Sequence, residues 1–172
     1  MVDENLKIYL NSRDKKYNFS KLLKFLEESG IPFKSKKLIT GGVAIATIQG
    51  VLFDLEQLIK QSDKLVFFIL LHEVGHSKRL SKIGIDKVVG NLSEENFEVF
   101  FSKLIYEELV ADRYASFLFN IFNEEKYPWY ETQQLDLETR QNGYRPVANL
   151  YFGKISNDIN KYNQLLNKFI IG

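Results

Sequence analysis

Apolar residues in the middle of the chain recur at the spacing of one helix face. Residues 65–71 are all apolar, and neither proline nor glycine interrupts the run before Gly75. Steps of three and four residues continue through the next turns, which is the period of an α-helix. The pattern predicts one helix whose apolar face carries Leu65, Ile69, His72, His76, Leu80 and Ile83.

A second, longer helical stripe follows the first. Ser93 is a favourable N-cap, and Glu94 and Glu95 would face the positive end of the helix dipole in the first turn. The stripe then alternates steps of four and three residues, and Glu108 is its only charged member. Its members are Phe97, Phe101, Leu104, Glu108, Ala111, Ala115, Leu118 and Phe122.

The segment before the first stripe predicts a helix and a small sheet. An apolar pattern at residues 19–29 ends at Gly30, as a short helix would. Gly50 divides a later apolar stretch, which leaves open two strands or one bulged strand. The predicted strands lie at residues 31–39, 43–49 and 51–53.

The C-terminal third adds helices to this α+β order. We expect a polar helix at residues 132–140, a turn at 142–146 and a last helix at 156–170. No repeat, low-complexity tract or linker divides the 172 residues, so they are assigned to a single domain.

The first stripe places both histidines of the chain one helical turn apart. Side chains at positions i and i+4 project from the same face, so His72 and His76 can bind one Zn²⁺. Glu73 lies between them and is placed to take a proton from bound water. Hydrogen-bonded core histidines are the alternative, but they leave the intervening glutamate unexplained. The motif therefore predicts a zinc hydrolase, with Glu73 as its general base.

The second stripe supplies a candidate for the third zinc ligand. A carboxylate such as Glu108 in a core-facing stripe is costly unless a neighbouring charge compensates it, and a zinc ion would do so. Asp112 lies one turn later, where it could hydrogen-bond a ligand histidine and fix its tautomer. If the helix register differs by one residue, Glu107 is the alternative ligand.

Together, His72-Glu-Val-Gly-His76 and Glu108-Leu-Val-Ala-Asp112 resemble the gluzincin clan of zinc metallopeptidases. The second motif is especially similar to that of the soluble minigluzincins, and more distantly to that of the ImmA/IrrE group. The resemblance covers residues 50–122. It implies a zincin-like fold, in which a small antiparallel or mixed sheet packs on an active-site helix and a glutamate helix. It also implies zinc bound by His72, His76 and Glu108, with Glu73 as base and acid and Asp112 supporting a histidine.

The resemblance raises two further questions about the site. A strand before the active-site helix pairs with extended substrate in this clan, and residues 43–53 could serve here or form an ordinary sheet strand. The oxyanion of the reaction also needs a donor, which no third histidine can supply. Tyr144 and Arg145 are the first candidates for it. The other candidates are Tyr106, Arg113 and Tyr114.

Composition narrows the possible partners and the compartment. A net charge of +1 with interspersed lysine and glutamate gives no electrostatic reason to expect nucleic acid as a partner. The basic residues Lys78, Arg79 and Lys82 are interpreted as a solvent-exposed face of the helix. The chain has no cysteine, which excludes a disulfide framework and thiolate ligands. The N-terminal residues lack the pattern of a signal peptide, and no apolar run is long enough to span a bilayer. These features favour a cytoplasmic protein.

The sequence therefore predicts that the chain is a zinc metalloendopeptidase. Its expected partner is a peptide or protein substrate. Two alternatives remain. One is a zinc-binding but catalytically idle module with a role in binding or assembly, although an idle site has no need of Glu73. The other is a regulatory peptidase with one dedicated protein substrate.

Overall fold

The computed structural model describes residues 1–13, 16–38, 42–84 and 96–124, which form an α+β structure. Most of its residues are helical, and three short strands form one sheet. The predicted C-terminal helices lie outside the described residues. In chain order the elements are α1 (Glu4–Asn11), α2 (Phe19–Glu28), β1 (Phe33–Ser35), β2 (Ala44–Thr47), β3 (Gly50–Phe53), α3 (Leu55–Ile59), α4 (Asp63–Ile83) and α5 (Phe97–Asn123).

The sheet is mixed, with strand order β1-β3-β2. Strand β1 pairs in parallel with β3, so that Phe33 lies opposite Val51, whereas β2 pairs antiparallel with β3 and places Ala46 opposite Val51. Strand β2 therefore forms one edge of the sheet. The prediction of a strand at residues 31–39 is too long, because only Phe33–Ser35 are paired with β3.

A turn at Ile48 and Gln49 separates β2 from β3, so the stretch at residues 43–53 forms two strands rather than one bulged strand. The hydroxyl of Thr47 donates to the carbonyl oxygen of Gly50 at 2.9 Å and closes the turn. Gly50 has φ of 128°, and a Cβ there would lie 2.3 Å from the carbonyl oxygen of Pro32. The turn therefore requires glycine at this position.

Helix α4 follows the predicted span but buries a different face. The Ser62 side chain caps its first turn by accepting from the Leu65 N–H, and the helix ends before Gly84 at φ of 77°. The predicted face lies at the border of the core, since Leu65 is 38% exposed and both histidines are partly exposed. The neighbouring face carries large apolar side chains, and this face packs into the core instead. Its buried members are Val66, Phe67, Leu70, Leu71 and Val74.

Helix α5 begins later than predicted. Asn96, not Ser93, is its N-cap, and the Asn96 side chain accepts from the N–H of Val99 at 3.0 Å. The predicted stripe also drifts across the buried face along this long helix, so that Phe119 is fully buried where Leu118 was expected. Glu108 nevertheless remains on the face that packs against α4, at 12% side-chain exposure.

An aromatic cluster holds α4 and α5 together at one end. The ring of Phe67 packs edge-on against Phe119 at 5.4 Å between centroids, and Phe19 from α2 lies 5.3 Å from Phe67. Tyr17 completes the cluster at 5.7 Å from Phe119. Helix α1, which no sequence pattern predicted, covers this core with Leu6 and Leu10.

Candidate metal centre

Two antiparallel helices bring the three predicted ligand side chains to one point. The His72 Nε2 atom lies 3.3 Å from Glu108 Oε2, and the His76 Nε2 atom lies 3.2 Å from Glu108 Oε1. The two Nε2 atoms are 3.0 Å apart. Among the residues that the structure describes, His72, His76 and Glu108 form one group whose ligand atoms are close enough to hold a metal ion.

The spacing of these atoms is close to that of ligands around a tetrahedral zinc ion. Ligand atoms bound at about 2.0–2.2 Å from such an ion lie about 3.3–3.6 Å apart. The two histidine–glutamate distances, 3.3 and 3.2 Å, are near this range, and each involves a different oxygen of Glu108. The histidine–histidine distance of 3.0 Å is only about 0.3 Å shorter. Two imidazoles and a carboxylate are also a known zinc donor set, so these residues fit the ion.

Asp112 lies where the sequence places a support for a histidine. Its Oδ1 atom is 2.8 Å from His72 Nδ1, and Asp112 is 6% exposed. When the imidazole is neutral and donates its Nδ1–H group to this carboxylate, the Nε2 lone pair is left to face the other two ligand side chains. Such a bond fixes both the tautomer and the ring orientation of a ligand histidine.

The charges of the group are strongly coupled. Burial alone would lower the pKa of His72, but hydrogen bonds to Asp112 and Glu108 raise it to about 10. Burial likewise disfavours the charged form of Glu108, yet hydrogen bonds from the two histidines hold its pKa well below the usual range. The centre is therefore built to keep an ionised carboxylate beside positive charge, which a divalent cation also provides.

Glu73 is buried beside the group without being one of its three members. Its carboxyl group accepts a hydrogen bond from the backbone N–H of Ala46 in β2. Glu73 is 8% exposed, and burial raises its pKa, although the nearby histidines oppose the shift. A raised pKa brings a carboxyl group closer to the range in which it can both take and return a proton.

The hydrogen bond to Ala46 shows how the edge of β2 faces the site. Val43 accepts from the N–H of Asp54 at 2.9 Å, so these two residues form a hydrogen-bonded pair between β2 and β3. Pairs in an antiparallel ladder alternate, which directs the N–H groups of Ala44 and Ala46 away from β3. Among the described residues no strand pairs with this outer edge of β2, and its Ala46 N–H group meets the carboxyl group of Glu73.

Gly75 permits the close approach of α5 to the turn of α4 that carries both histidines. A Cβ at Gly75 would lie 3.1 Å from Cδ1 of Tyr114 and 3.3 Å from Cα of Ala111. Both distances are shorter than an ordinary carbon–carbon contact. The glycine therefore makes room for the facing helix.

Glu107 does not reach the centre. Its side chain is 8% exposed and is held by the guanidinium group of Arg79, whose Nη2 donates to Oε1 at 2.9 Å and whose Nε donates to Oε2. The register in which Glu107 would be the ligand is therefore wrong. The interpretation of Arg79 as part of a solvated face is also wrong, and its position three residues after His76 is the signal that could have placed it on this side of α4.

The candidates for the oxyanion donor are not brought to the centre within the described residues. Tyr106 is 56% exposed, and its position two residues before Glu108 turns it about 160° away on the helix. Tyr114 packs against Gly75, and Lys78 lies over its ring at 5.7 Å. Arg113 is exposed. Tyr144 and Arg145 lie outside the described residues.

No family model, curated protein or solved structure matches the chain. In the described ranges, no helix is both long enough and apolar enough to cross a membrane. The resemblance to the gluzincin clan therefore stays an expectation from the two sequence motifs.

Proposed function

We propose that this chain is a zinc metallopeptidase of the gluzincin type with a zincin-like fold. The observation that carries the proposal is the convergence of three side chains: the Nε2 atoms of His72 and His76 lie 3.0 Å apart, and each lies within 3.3 Å of one oxygen of the Glu108 carboxylate. Glu73, buried beside these three side chains, gives the centre the base that a hydrolytic site needs and a purely structural site does not. Structural zinc sites have four protein ligands, whereas hydrolytic sites have three and leave one position open.

The chemistry divides between the ion and the protein. Zinc bound by the three residues would lower the pKa of a water molecule and polarise a substrate carbonyl group. Glu73 takes the proton from that water and delivers it to the leaving amine, for which its raised pKa suits it. Asp112 holds His72 in the ligating tautomer through the 2.8 Å hydrogen bond.

In the part of the chain that the structure describes, no strand pairs with the outer edge of β2, which supports a peptide as the substrate. An extended peptide can add to an exposed strand through main-chain hydrogen bonds. The outward N–H group of Ala44 lies on the same edge of β2 as that of Ala46, which donates to Glu73, so a peptide paired with this edge would run past the base. We propose that β2, within residues 43–53, is the strand that pairs with substrate.

Metal analysis of the purified protein is the first test. We expect one zinc per chain by plasma mass spectrometry, and less than a tenth of that in His72→Ala and His76→Ala variants. Since the chain contains no other histidine, no other imidazole can take over the site. Full zinc occupancy in both variants would contradict the ligand assignment.

Hydrolysis of a fluorogenic peptide library is the second test. We expect activity that a chelator removes and zinc restores. Glu73→Gln should keep the metal and lose at least about a hundredfold in rate, because proton transfer of this kind contributes about 10²–10⁴-fold. Glu56→Gln, an exposed glutamate on α3, is the matched control and should change neither quantity. Loss of zinc in Glu73→Gln would mean that Glu73 is structural.

The two alternatives give different results in the same assays. A catalytically idle module would bind zinc but would cleave neither the peptides of the library nor any folded protein. A peptidase with one dedicated protein substrate would bind zinc, ignore the library and cleave only that protein. The burial of Glu73 beside the ligands favours an active enzyme over an idle module.

A further inference from the structure

Two adjacent glutamates on α5 face α4, and only one of them reaches the histidines. Glu107 is 6% exposed and Glu108 is partly buried, so both carboxylates belong to the helix interface. Neighbouring residues of an α-helix are separated by about 100° around its axis. A rotation of α5 by that angle would exchange one carboxylate for the other beside the histidines.

Arg79 makes the two glutamates different, because it pairs with Glu107. Its guanidinium group engages both oxygens of Glu107 through Nε and Nη2 and lies 5.7 Å from the ring centre of Tyr106. A guanidinium group remains charged at all physiological pH values, and its two parallel donors fit one carboxylate in one orientation. Such a pair specifies geometry more than a single point charge does.

We propose that Arg79 is a positioning residue that selects Glu108, rather than Glu107, as the third metal ligand; this inference rests on the metal centre proposed above. By neutralising Glu107, Arg79 leaves Glu108 as the carboxylate of this pair that can bind the cation. By gripping Glu107 from α4, it also fixes the rotation of α5. Buried ion pairs add little stability, but some are retained because they specify one arrangement over another.

The test is a double-mutant cycle between Arg79 and Glu108, which have separate partners in the structure. The probe is Co²⁺ alone, titrated into each full-length variant in competition with a chromophoric chelator. In the natural background, we expect Glu108→Gln to weaken binding by more than about a hundredfold, above the usual cost of losing a supporting group. In the Arg79→Met background, the same change should cost no more than about tenfold, because the released Glu107 supplies the missing carboxylate.

Two further variants separate selection from general loss of stability. Arg79→Lys keeps a positive charge beside Glu107. In the Arg79→Lys background, Glu108→Gln should therefore again weaken Co²⁺ binding by most of the full amount. Arg13→Met is the matched control, because Arg13 also pairs with a carboxylate of α4, Asp63, at 2.6 Å. That pair lies at the other end of α4, so the cost of Glu108→Gln should stay at its full value in the Arg13→Met background.

Each outcome decides the matter. Equal cost of Glu108→Gln in the natural and Arg79→Met backgrounds would overturn the selection by Arg79 while leaving the metal centre intact. An equal drop in that cost in the Arg13→Met background would mean that any lost ion pair has this effect, and would also overturn it. If the unaltered protein binds no Co²⁺, the metal centre itself is wrong and the selection fails with it.

Discussion

Replacement of Gly75 by alanine tests whether the approach of the two helices sets the metal geometry. The added Cβ would lie 3.3 Å from Cα of Ala111, whereas carbon atoms in contact lie about 3.5–4.0 Å apart. The Tyr114 ring, at 3.1 Å from the same Cβ, can rotate, but the backbone at Ala111 cannot. Helix α5 must therefore retreat by about 0.3 Å at a point three residues from Glu108.

A displacement of this size exceeds the tolerance of metal–ligand distances, whereas its cost to the packing of the core is moderate. Ligand distances in metal sites are typically kept within about 0.2 Å, so we expect zinc affinity to fall about tenfold, or about 1.4 kcal/mol. Overpacking of a core costs about 1–3 kcal/mol, and alanine regains about 1 kcal/mol of helix propensity over glycine. The free energy of unfolding in chelator should therefore fall by no more than about 2 kcal/mol.

The assay is zinc competition with a chromophoric chelator, paired with denaturant unfolding in excess chelator. Ser81→Ala is the control, because it raises helix propensity at an exposed position of α4 and should leave zinc affinity unchanged. Unchanged zinc affinity in Gly75→Ala would refute the reasoning, since it would show that the contact with Ala111 does not control the position of Glu108.

Two further predictions concern the supporting and ligating carboxylates. Asp112→Asn should weaken zinc binding about 10–100-fold in the same competition assay, because asparagine no longer enforces one tautomer of His72; affinity within twofold of the unaltered protein would contradict this role. Excess chelator should lower the Tm of the unaltered protein, because metal binding adds to folding stability, and should lower that of Glu108→Gln much less; equal shifts in calorimetry would show that Glu108 is not a ligand.

Much of the local structure could be predicted from the sequence, because its causes lie within a few residues. The i, i+4 spacing of His72 and His76 places them on one helix face wherever that helix packs. Gly50 marks the break in the apolar stretch at residues 43–53, and as the first residue of β3 it adopts a positive φ that other residues avoid. The location of Glu108 near the histidines was also expected from the helical stripe, although zinc binding stays a prediction.

Other features could not be predicted, because they depend on which surfaces compete for the core. The histidine face of α4 is apolar enough to be a core face, but the neighbouring face with Phe67 and Leu70 buries more volume and displaces it to the border. The start of α5 was assigned to Ser93 because several good caps lie close together, and the cap in use is Asn96. Local preference does not distinguish among such neighbours.

The sequence by itself therefore determined the chemical groups and their spacing along each helix: two imidazoles one turn apart, a glutamate between them, and carboxylates on a second helix. Only the tertiary structure decided which carboxylate faces the histidines, because the choice between Glu107 and Glu108 depends on the rotation of one helix against another. That rotation depends on contacts distant in sequence, which include the approach at Gly75, the Phe67–Phe119 packing and the Arg79–Glu107 pair. Periodicity specifies a face of a helix, whereas long-range packing specifies what that face meets.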